Sequence, residues 1–421
     1  MGAHPKVLMS RIHSLVISVS FTVITVAAAE MPQAGALARD GKWEVSVDFP
    51  PEVARNSIVQ IGNYSLPGTS PPIVTIDAIR YVRHDNAAVL TVSGLVTNDL
   101  YSVKIENLSD TAGDDFPDIS VSFRARAMSW ADIGARELGF APDVVSVGET
   151  GFDLISGGSE MWGRYDESTF AYESVIGDFD KRVRVDMQEP SSAVARAGIM
   201  VRETLDEGKR RPVDPSNPAE AFSRYLQVHV NPAETAFGDA GNNLYQINIR
   251  YFTGGIGDTN FDATINPEIT NNVAPPYTNA WLRLRRVGDV FDTFRGNDGT
   301  NWIQIGRFSF PTNDAKGDFP ETVYLGVNYS AEVGNIPDST GERRSFMAQF
   351  REYGDVAELE LPVLTIAREG NAARLEWEGG GTLLSNTNLA TETWTEMPGG
   401  SPVLIPLTPE KAKEFFRVRI P

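Results

Sequence analysis

NAWLRLRRVGDVFDTFRGNDGTNWIQIG, residues 279–306, reads as three short strand-length runs joined by two tight turns. Gly288-Asp289 stands between apolar segments, a strong hairpin signal. GNDGTNW (296–302) is the second turn, after which Trp302, Ile303 and Ile305 resume a strand. Alternating segments broken by Gly, Asp and Asn continue in both directions, from SVIGDFDKRVRVDMQ (174–188) through ARAGIMVRETLDEG (195–208) to ETVYLGVNYS (321–330). Strands are expected at 144–147, 151–156, 169–175, 179–188, 195–203, 222–230, 244–252, 280–287, 289–296, 301–308, 322–329 and 344–354. So many strands in residues 140–358 fit a jelly roll of two curved sheets stacked face to face. The loops 206–221 and 253–278 are longer than a hairpin needs, as binding or lid elements often are.

Residues 41–126 hold six strand-length segments separated by Pro, Gly, Asn and Asp, as in an Ig-like sandwich. Residues 127–139 read as a connector. Within it, SWADIGARELG (129–139) could form a short helix, with Ser129 as its cap, Asp132 three positions on and Gly139 at its end. Residues 359–421 form a small C-terminal β module with Leu375 and Trp377 in alternation and EFFRVRI (414–420) as its last strand. A unit that small needs a neighbour to lean on. The fold class is therefore all-β, with three units in series.

The N-terminus carries His4, Lys6 and Arg11, then LVISVSFTVITVAAA (15–29), the pattern of a secretory signal peptide ending at Ala29. Its apolar run is short for a spanning helix, and no second membrane candidate follows. The chain is expected to be exported from a bacterial cell, to the medium or the cell surface. It has no cysteine, which excludes disulfides, thiol nucleophiles and cysteine metal sites. The net charge of −19 becomes −21 once Lys6 and Arg11 leave with the leader. A field of that sign works against nucleic acid and anionic membranes. It is compatible with polysaccharide, with divalent cations and with other surface proteins as partners.

Four motifs carry a resemblance in the central unit: Gly177-Asp178-Phe179, Ala197-Gly198-Ile199-Met200-Val201-Arg202, Trp281-Leu282-Arg283-Leu284 and Asp298-Gly299-Thr300-Asn301-Trp302. In this order they resemble the bacterial concanavalin A-like lectin/glucanase group, which implies a scaffold that often holds sugars. NSIVQIGNYSL (56–66) and AAVLTVSGLVTNDLYSVKIENLSD (87–110) resemble the bacterial Ig-like domains of surface-layer and cell-wall proteins. There Tyr64 and Tyr101 read as packing residues. The last unit is similar to small C-terminal β modules of secreted bacterial proteins.

The chemistry-bearing residues are sparse. Only His84 and His229 remain outside the leader, in different units, which argues against a histidine zinc site. No G-x-S-x-G elbow is present. The Glu-x-Asp-x-x-Glu strand of laminarin-cleaving sandwich enzymes is absent too, and with it the paired carboxylates of retaining hydrolysis. Glu358 and Glu360 read as a solvated face. A lyase would want Arg to neutralise a uronate and Tyr or His as base. Arg202, Arg224, Tyr225, His229, Tyr245, Arg250 and Tyr251 supply those types without showing that they meet. Sugar binding wants an aromatic platform and planar polar groups. The candidates singled out are Trp162, Arg202, Tyr245, Trp281 and Arg283, with Tyr172 beside them. No cofactor is implied. Structural calcium is the one ion that the oxygen-rich segments 214–220, 258–268 and 296–302 suggest, though none matches a full calcium-loop pattern. A secreted, non-catalytic carbohydrate-binding or adhesion protein is the leading expectation. A purely structural surface protein and a polysaccharide lyase are the alternatives.

Overall fold

The computed structural model describes residues 31–67, 73–134, 140–158, 161, 166–205, 223–253, 255, 257–259, 273–333, 344–356, 364–377, 382–387, 394–407 and 414–419. The expected leader, Trp162, Glu358, Glu360 and most of both long loops lie outside them.

The main N-terminal strands are β1 (Gln33–Arg39), β2 (Lys42–Asp48), β3 (Thr75–Val82), β4 (Ala87–Ser93), β5 (Leu100–Ile105) and β6 (Ile119–Ile133). The central strands are β7 (Asp143–Val147), β8 (Gly151–Ser156), β9 (Ser168–Ile176), β10 (Phe179–Gln188), β11 (Arg196–Arg202), β12 (Tyr225–Val230) and β13 (Tyr245–Arg250). They continue with β14 (Ala280–Val287), β15 (Val290–Gly296), β16 (Trp302–Phe308), β17 (Thr322–Ser330) and β18 (Phe346–Asp355).

Two large sheets result. One runs β13-β12-β11-β17-β9-β6-β1-β2-β4-β3, with β5 paired onto β6. The other runs β7-β8-β18-β10-β14-β15-β16. Period-2 alternation decides which side of each strand meets the other sheet. Leu226, Val228 and Val230 of β12 point inward, as do Ala197, Ile199 and Val201 of β11. Val183 and Val185 of β10 and Leu282 and Leu284 of β14 meet them from the second sheet. Each buried Val, Leu or Ile among them contributes about 1.5–3 kcal/mol. A separate N-terminal core contains Val45, Val47, Leu90, Val92, Val103 and Phe123. Tyr64 lies there, its hydroxyl donating to the Ile58 carbonyl, and Tyr101 stacks on Phe123.

β6 corrects the expected helix. Residues 129–133 continue a 15-residue strand that pairs with β5 at Ile119–Arg124 and with β9 at Ser129–Ile133. Met128 and Trp130 bury their side chains in the central core. That burial and the ladder to β9 outweigh the local capping signal at Ser129.

The two sandwiches are joined by more than a shared strand. Val82, Ala87 and Val89 pack on Val145, Val147, Ile155 and Met347. Arg80 makes one fork to Glu44, at 2.8 and 2.9 Å, and another to Asp143, at 3.1 and 2.6 Å. The Trp130 indole N–H donates to Glu44 at 2.7 Å.

The C-terminal strands are β19 (Thr365–Glu369), β20 (Ala372–Glu376), β21 (Thr382–Asn386), β22 (Val403–Pro406) and β23 (Phe415–Arg419). They form two small sheets around Leu375, Trp377, Leu383 and Ile405. Among the described residues no helix is long and apolar enough to cross a membrane.

Candidate functional site

The side of the first sheet that faces away from the central core mixes buried polar groups with a second apolar cluster of Ile133, Met161, Phe170, Met200 and Tyr225. Register places its residues in three rows across β13, β12, β11, β17 and β9. One row is Gln246, His229, Gly198, Asn328 and Phe170. The next is Asn248, Gln227, Met200, Gly326 and Tyr172. The third is Arg250, Tyr225, Arg202, Tyr324 and Ser174. Glycine is required at two central positions by close strand approach. A Cβ on Gly198 would sit 2.2 Å from the Val228 carbonyl oxygen, and one on Gly326 would sit 2.0 Å from that of Ala171. The two glycines flank Met200, with His229, Asn328, Gln227 and Phe170 around them.

A chain of neutral amides crosses it. Gln227 Nε2 donates to Asn328 Oδ1 at 2.9 Å, and Asn328 Nδ2 donates to Ser168 Oγ at 2.8 Å. Asn248 Nδ2 and the Tyr225 hydroxyl both donate to the Met161 carbonyl. At one end Asp166 accepts from Arg202 and, through both oxygens, from Arg250. Gln227, His229, Asn248, Asn328, Arg202 and Arg250 are all 0% exposed.

Several buried groups on this face lack a partner among the described residues. They are Gln227 Oε1, Asn248 Oδ1, Ser330 Oγ and both ring nitrogens of His229. A buried polar atom left in that state costs about 1–3 kcal/mol. Burial, and then the positive charge of Arg196, hold the His229 pKa well below its ordinary value. The Gln246 amide pulls the other way without hydrogen-bond alignment. His229 is thus a neutral imidazole near pH 7, one nitrogen a donor and the other an acceptor. Burial pushes the Tyr225 hydroxyl up to about 12, so it stays protonated. At the β9 side, half-buried Tyr172 stacks on Phe170 at 5.3 Å and meets Tyr324 edge-on at the same distance. This leaves neutral donors and acceptors in the interior and an aromatic step at the solvent side.

The residues singled out from sequence do not converge. Trp162 lies outside the described residues. Arg202 belongs to the polar face. Tyr245 has the opposite parity on β13 and lies between the sheets, its hydroxyl donating to the Gly296 carbonyl at 3.2 Å. Trp281 and Arg283 are together on the outer side of the second sheet, where Arg283 forks onto Asp180. In the lyase constellation Tyr225, His229 and Arg250 do share the Arg202 face. Arg224 instead pairs with Glu203 and donates to the carbonyls of Gly317 and Asp318. Gln227, Asn248, Asn328 and Ser168 were missed. For Gln227 and Asn248 the signal was polar residues at alternate positions of YLQVHV (225–230) and YQINIR (245–250), beside apolar ones that read as core.

Of the oxygen-rich segments, the 296–302 turn has another use for its carboxylate. Asp298 accepts from the backbone and side chains of Thr300 and Asn301, and these donors hold its pKa well below the carboxylate range. Among the described residues no group of three or more His, Asp or Glu is arranged to hold a metal ion. Residues 214–220 and 260–268 lie outside them.

No family model matches the sequence, and no curated protein matches it. Solved structures show distant likeness. A functionally unknown protein from Saccharomyces cerevisiae is 16% identical, over 54% of this chain and 95% of that one, with a TM-score of 0.34. Basic winged bean lectin, solved with Tn-antigen, is 9% identical over 54% and 90%, with a TM-score of 0.31. Surface layer protein SbsC, domains 1–6, is 11% identical over 88% and 67%, with a TM-score of 0.21. The likeness is to mostly β, multi-sheet, sandwich-like folds, and at this level it specifies neither a ligand nor an activity.

Proposed function

We propose that the protein is a secreted bacterial binding protein without catalytic activity, whose central unit is a lectin-like jelly roll carried by an Ig-like N-terminal unit. Its ligand is a neutral saccharide of a polysaccharide or cell-surface glycan. The observation that carries the reading is the set of buried neutral groups on this face that have no partner among the described residues: Gln227 Oε1, Asn248 Oδ1, Ser330 Oγ and the His229 ring. Sugar hydroxyls are both donors and acceptors and match such groups, while a charged ligand would find no counter-charge among them. The Tyr172–Tyr324 step offers a stacking surface on the way in. Arg202 and Arg250 serve by fixing the buried Asp166 at one end of the face. Trp162, four positions before Asp166, is proposed as an aromatic contributor from the same segment.

The test is titration calorimetry with neutral oligosaccharides, chosen by glycan array, on the wild type and on Gln227→Ala and Asn248→Ala. A loss of at least about tenfold in affinity, equal to about 1.4 kcal/mol, is expected at a temperature where circular dichroism shows each variant folded, since each substitution also removes a buried hydrogen bond and lowers the melting temperature. The reading fails if no glycan binds the folded wild type, or if both variants bind as before.

A purely structural surface role has its own support in β6, which belongs to both sandwiches. Rigid coupling of that kind suits a load-bearing element with no ligand. The same array separates the two readings.

A further inference from the structure

The outer side of the second sheet is divided in two. Over β7, β8 and β18 it is covered by the N-terminal sandwich, through Val145, Val147, Ile155 and Met347. Over β10, β14, β15 and β16 it carries a lattice of guanidinium and aromatic groups. Register sets three rows: Arg184, Trp281, Gly296, Trp302; then Arg182, Arg283, Phe294, Gln304; then Asp180, Arg285, Asp292, Arg307. Gly296 has no side chain between the two indoles, which meet edge to face at 6.4 Å.

The charges on this face do not balance. Asp180 is taken by Arg283, and Asp186, with Glu352 beyond it, by Arg184. Asp292, 2% exposed, accepts from both Arg285 and Arg307, two cations on one carboxylate. Arg182 has no carboxylate within salt-bridge distance among the described residues. It lies over Trp281 at 5.1 Å and donates to the Gly299 carbonyl. Five guanidiniums thus face four carboxylates, and one positive charge remains, with Arg182 the cation that has no carboxylate, on an open face of a chain whose net charge is −19. Trp302 is half-exposed on the same face, and the Arg307 side chain is 54% exposed.

We propose that this face binds a uronate-bearing, acidic polysaccharide. Guanidinium forks match the planar carboxylate of a sugar acid, and Trp302 supplies the stacking surface for its ring. The chemistry is distinct from that of the neutral polar face, from which the core separates it, and it does not depend on that reading. Nucleic acid is a poor fit, because one excess charge is too few against the overall field. A second copy of the chain fits less well, because the apolar groups here are interleaved with charges and form no continuous interface core.

The test uses size-defined oligogalacturonate, with dextran as the neutral control, in titration calorimetry at low and moderate salt. The wild type is expected to bind oligogalacturonate and not dextran, more weakly as salt rises. Arg182→Gln combined with Arg307→Gln is expected to lower that affinity at least about tenfold, with unchanged melting. Arg285→Gln, which leaves Asp292 one cationic partner, Arg307, beside the Gln304 amide, is a second variant with the same expected direction. The proposal is overturned if oligogalacturonate binds no tighter than dextran, or if the folded double variant binds it as the wild type does. It is also overturned if sedimentation shows self-association that the double variant abolishes, since the face would then belong to a second copy. Gln227→Ala is expected to leave oligogalacturonate binding intact, which separates failure here from failure of the neutral-sugar site.

Discussion

Gln227 and Asn328 are joined amide to amide across β11, Nε2 to Oδ1 at 2.9 Å, although β12 and β17 are not themselves paired. The contact passes over a strand whose residues at that point are Gly198 and Met200. Asn328 is the hinge of this chain, since it also donates to Ser168. Asn328→Ala removes both contacts at a fully buried site and is expected to cost about 1–3 kcal/mol. Urea unfolding measures it, and a loss below a few tenths would show that the amide chain is not sealed from water.

The glycines beneath that chain make a sharper case. Gly198→Ala and Gly326→Ala each drive a methyl group into a backbone carbonyl of the neighbouring strand. Backbone cannot yield as a flexible side chain does, so both variants are expected to lose the native near-ultraviolet circular dichroism or to accumulate as insoluble protein. Gly288→Ala, with open space around its Cβ and a positive φ of 58°, is the contrast: a small loss from turn strain and a retained fold.

The joint between the sandwiches predicts a pH dependence. Asp85 sits in the turn after β3 with its Oδ2 sealed from solvent. Burial first, then the carboxylates of Asp153 and Asp48, push its pKa up to about 9, with Arg351 pulling the other way. Asp153 is itself forked by Arg351, and Asp186 is nearby in charge. A carboxyl whose folded pKa is raised contributes its stability fully below the unfolded value of about 3.9 and loses it as pH rises toward about 9. Asp85→Asn should therefore flatten the decline of the melting temperature between pH 5 and 9. At pH 8 the variant is expected to melt about 2–4 °C above the wild type. Parallel melting curves at every pH would count against the assignment.

Arg80 makes a related prediction about cooperativity. It links Glu44 of β2 and Asp143 of β7 by paired hydrogen bonds. Arg80→Met leaves Glu44 to Arg39 and the Trp130 indole and takes the Arg80 cation from Asp143, a change expected to cost less than the ~3–5 kcal/mol of a fully broken buried pair. Calorimetry of the variant is expected to resolve a separate, earlier transition for the N-terminal sandwich. A single transition at the wild-type temperature would show that the shared strand and the apolar patch suffice.

Much of the strand pattern was legible in the sequence because alternation and turns agreed locally. The expected strands 151–156, 179–188 and 280–287 match β8, β10 and β14 residue for residue. Residues 129–133 were misread because Ser129 and Gly139 are local signals, while the burial of Trp130 depends on partners far along the chain. The polar face had a similar obstacle. Gln227, Asn248 and Asn328 alternate with core residues in the way a solvent-facing strand does, and nothing in the alternation says that this side is covered. Trp281 and Tyr245 were grouped as platform aromatics by type, but strand parity sends one outward and the other between the sheets.

β6 has a mechanical consequence. A strand of 15 residues extends roughly 50 Å. Its first part is clamped by β5 and its last part by β9, so bending between the sandwiches would shear ladder hydrogen bonds at both ends. The pair therefore moves as one lever. Whatever is held at one end has its direction and distance set relative to the other, as on a ruler rather than on a tether.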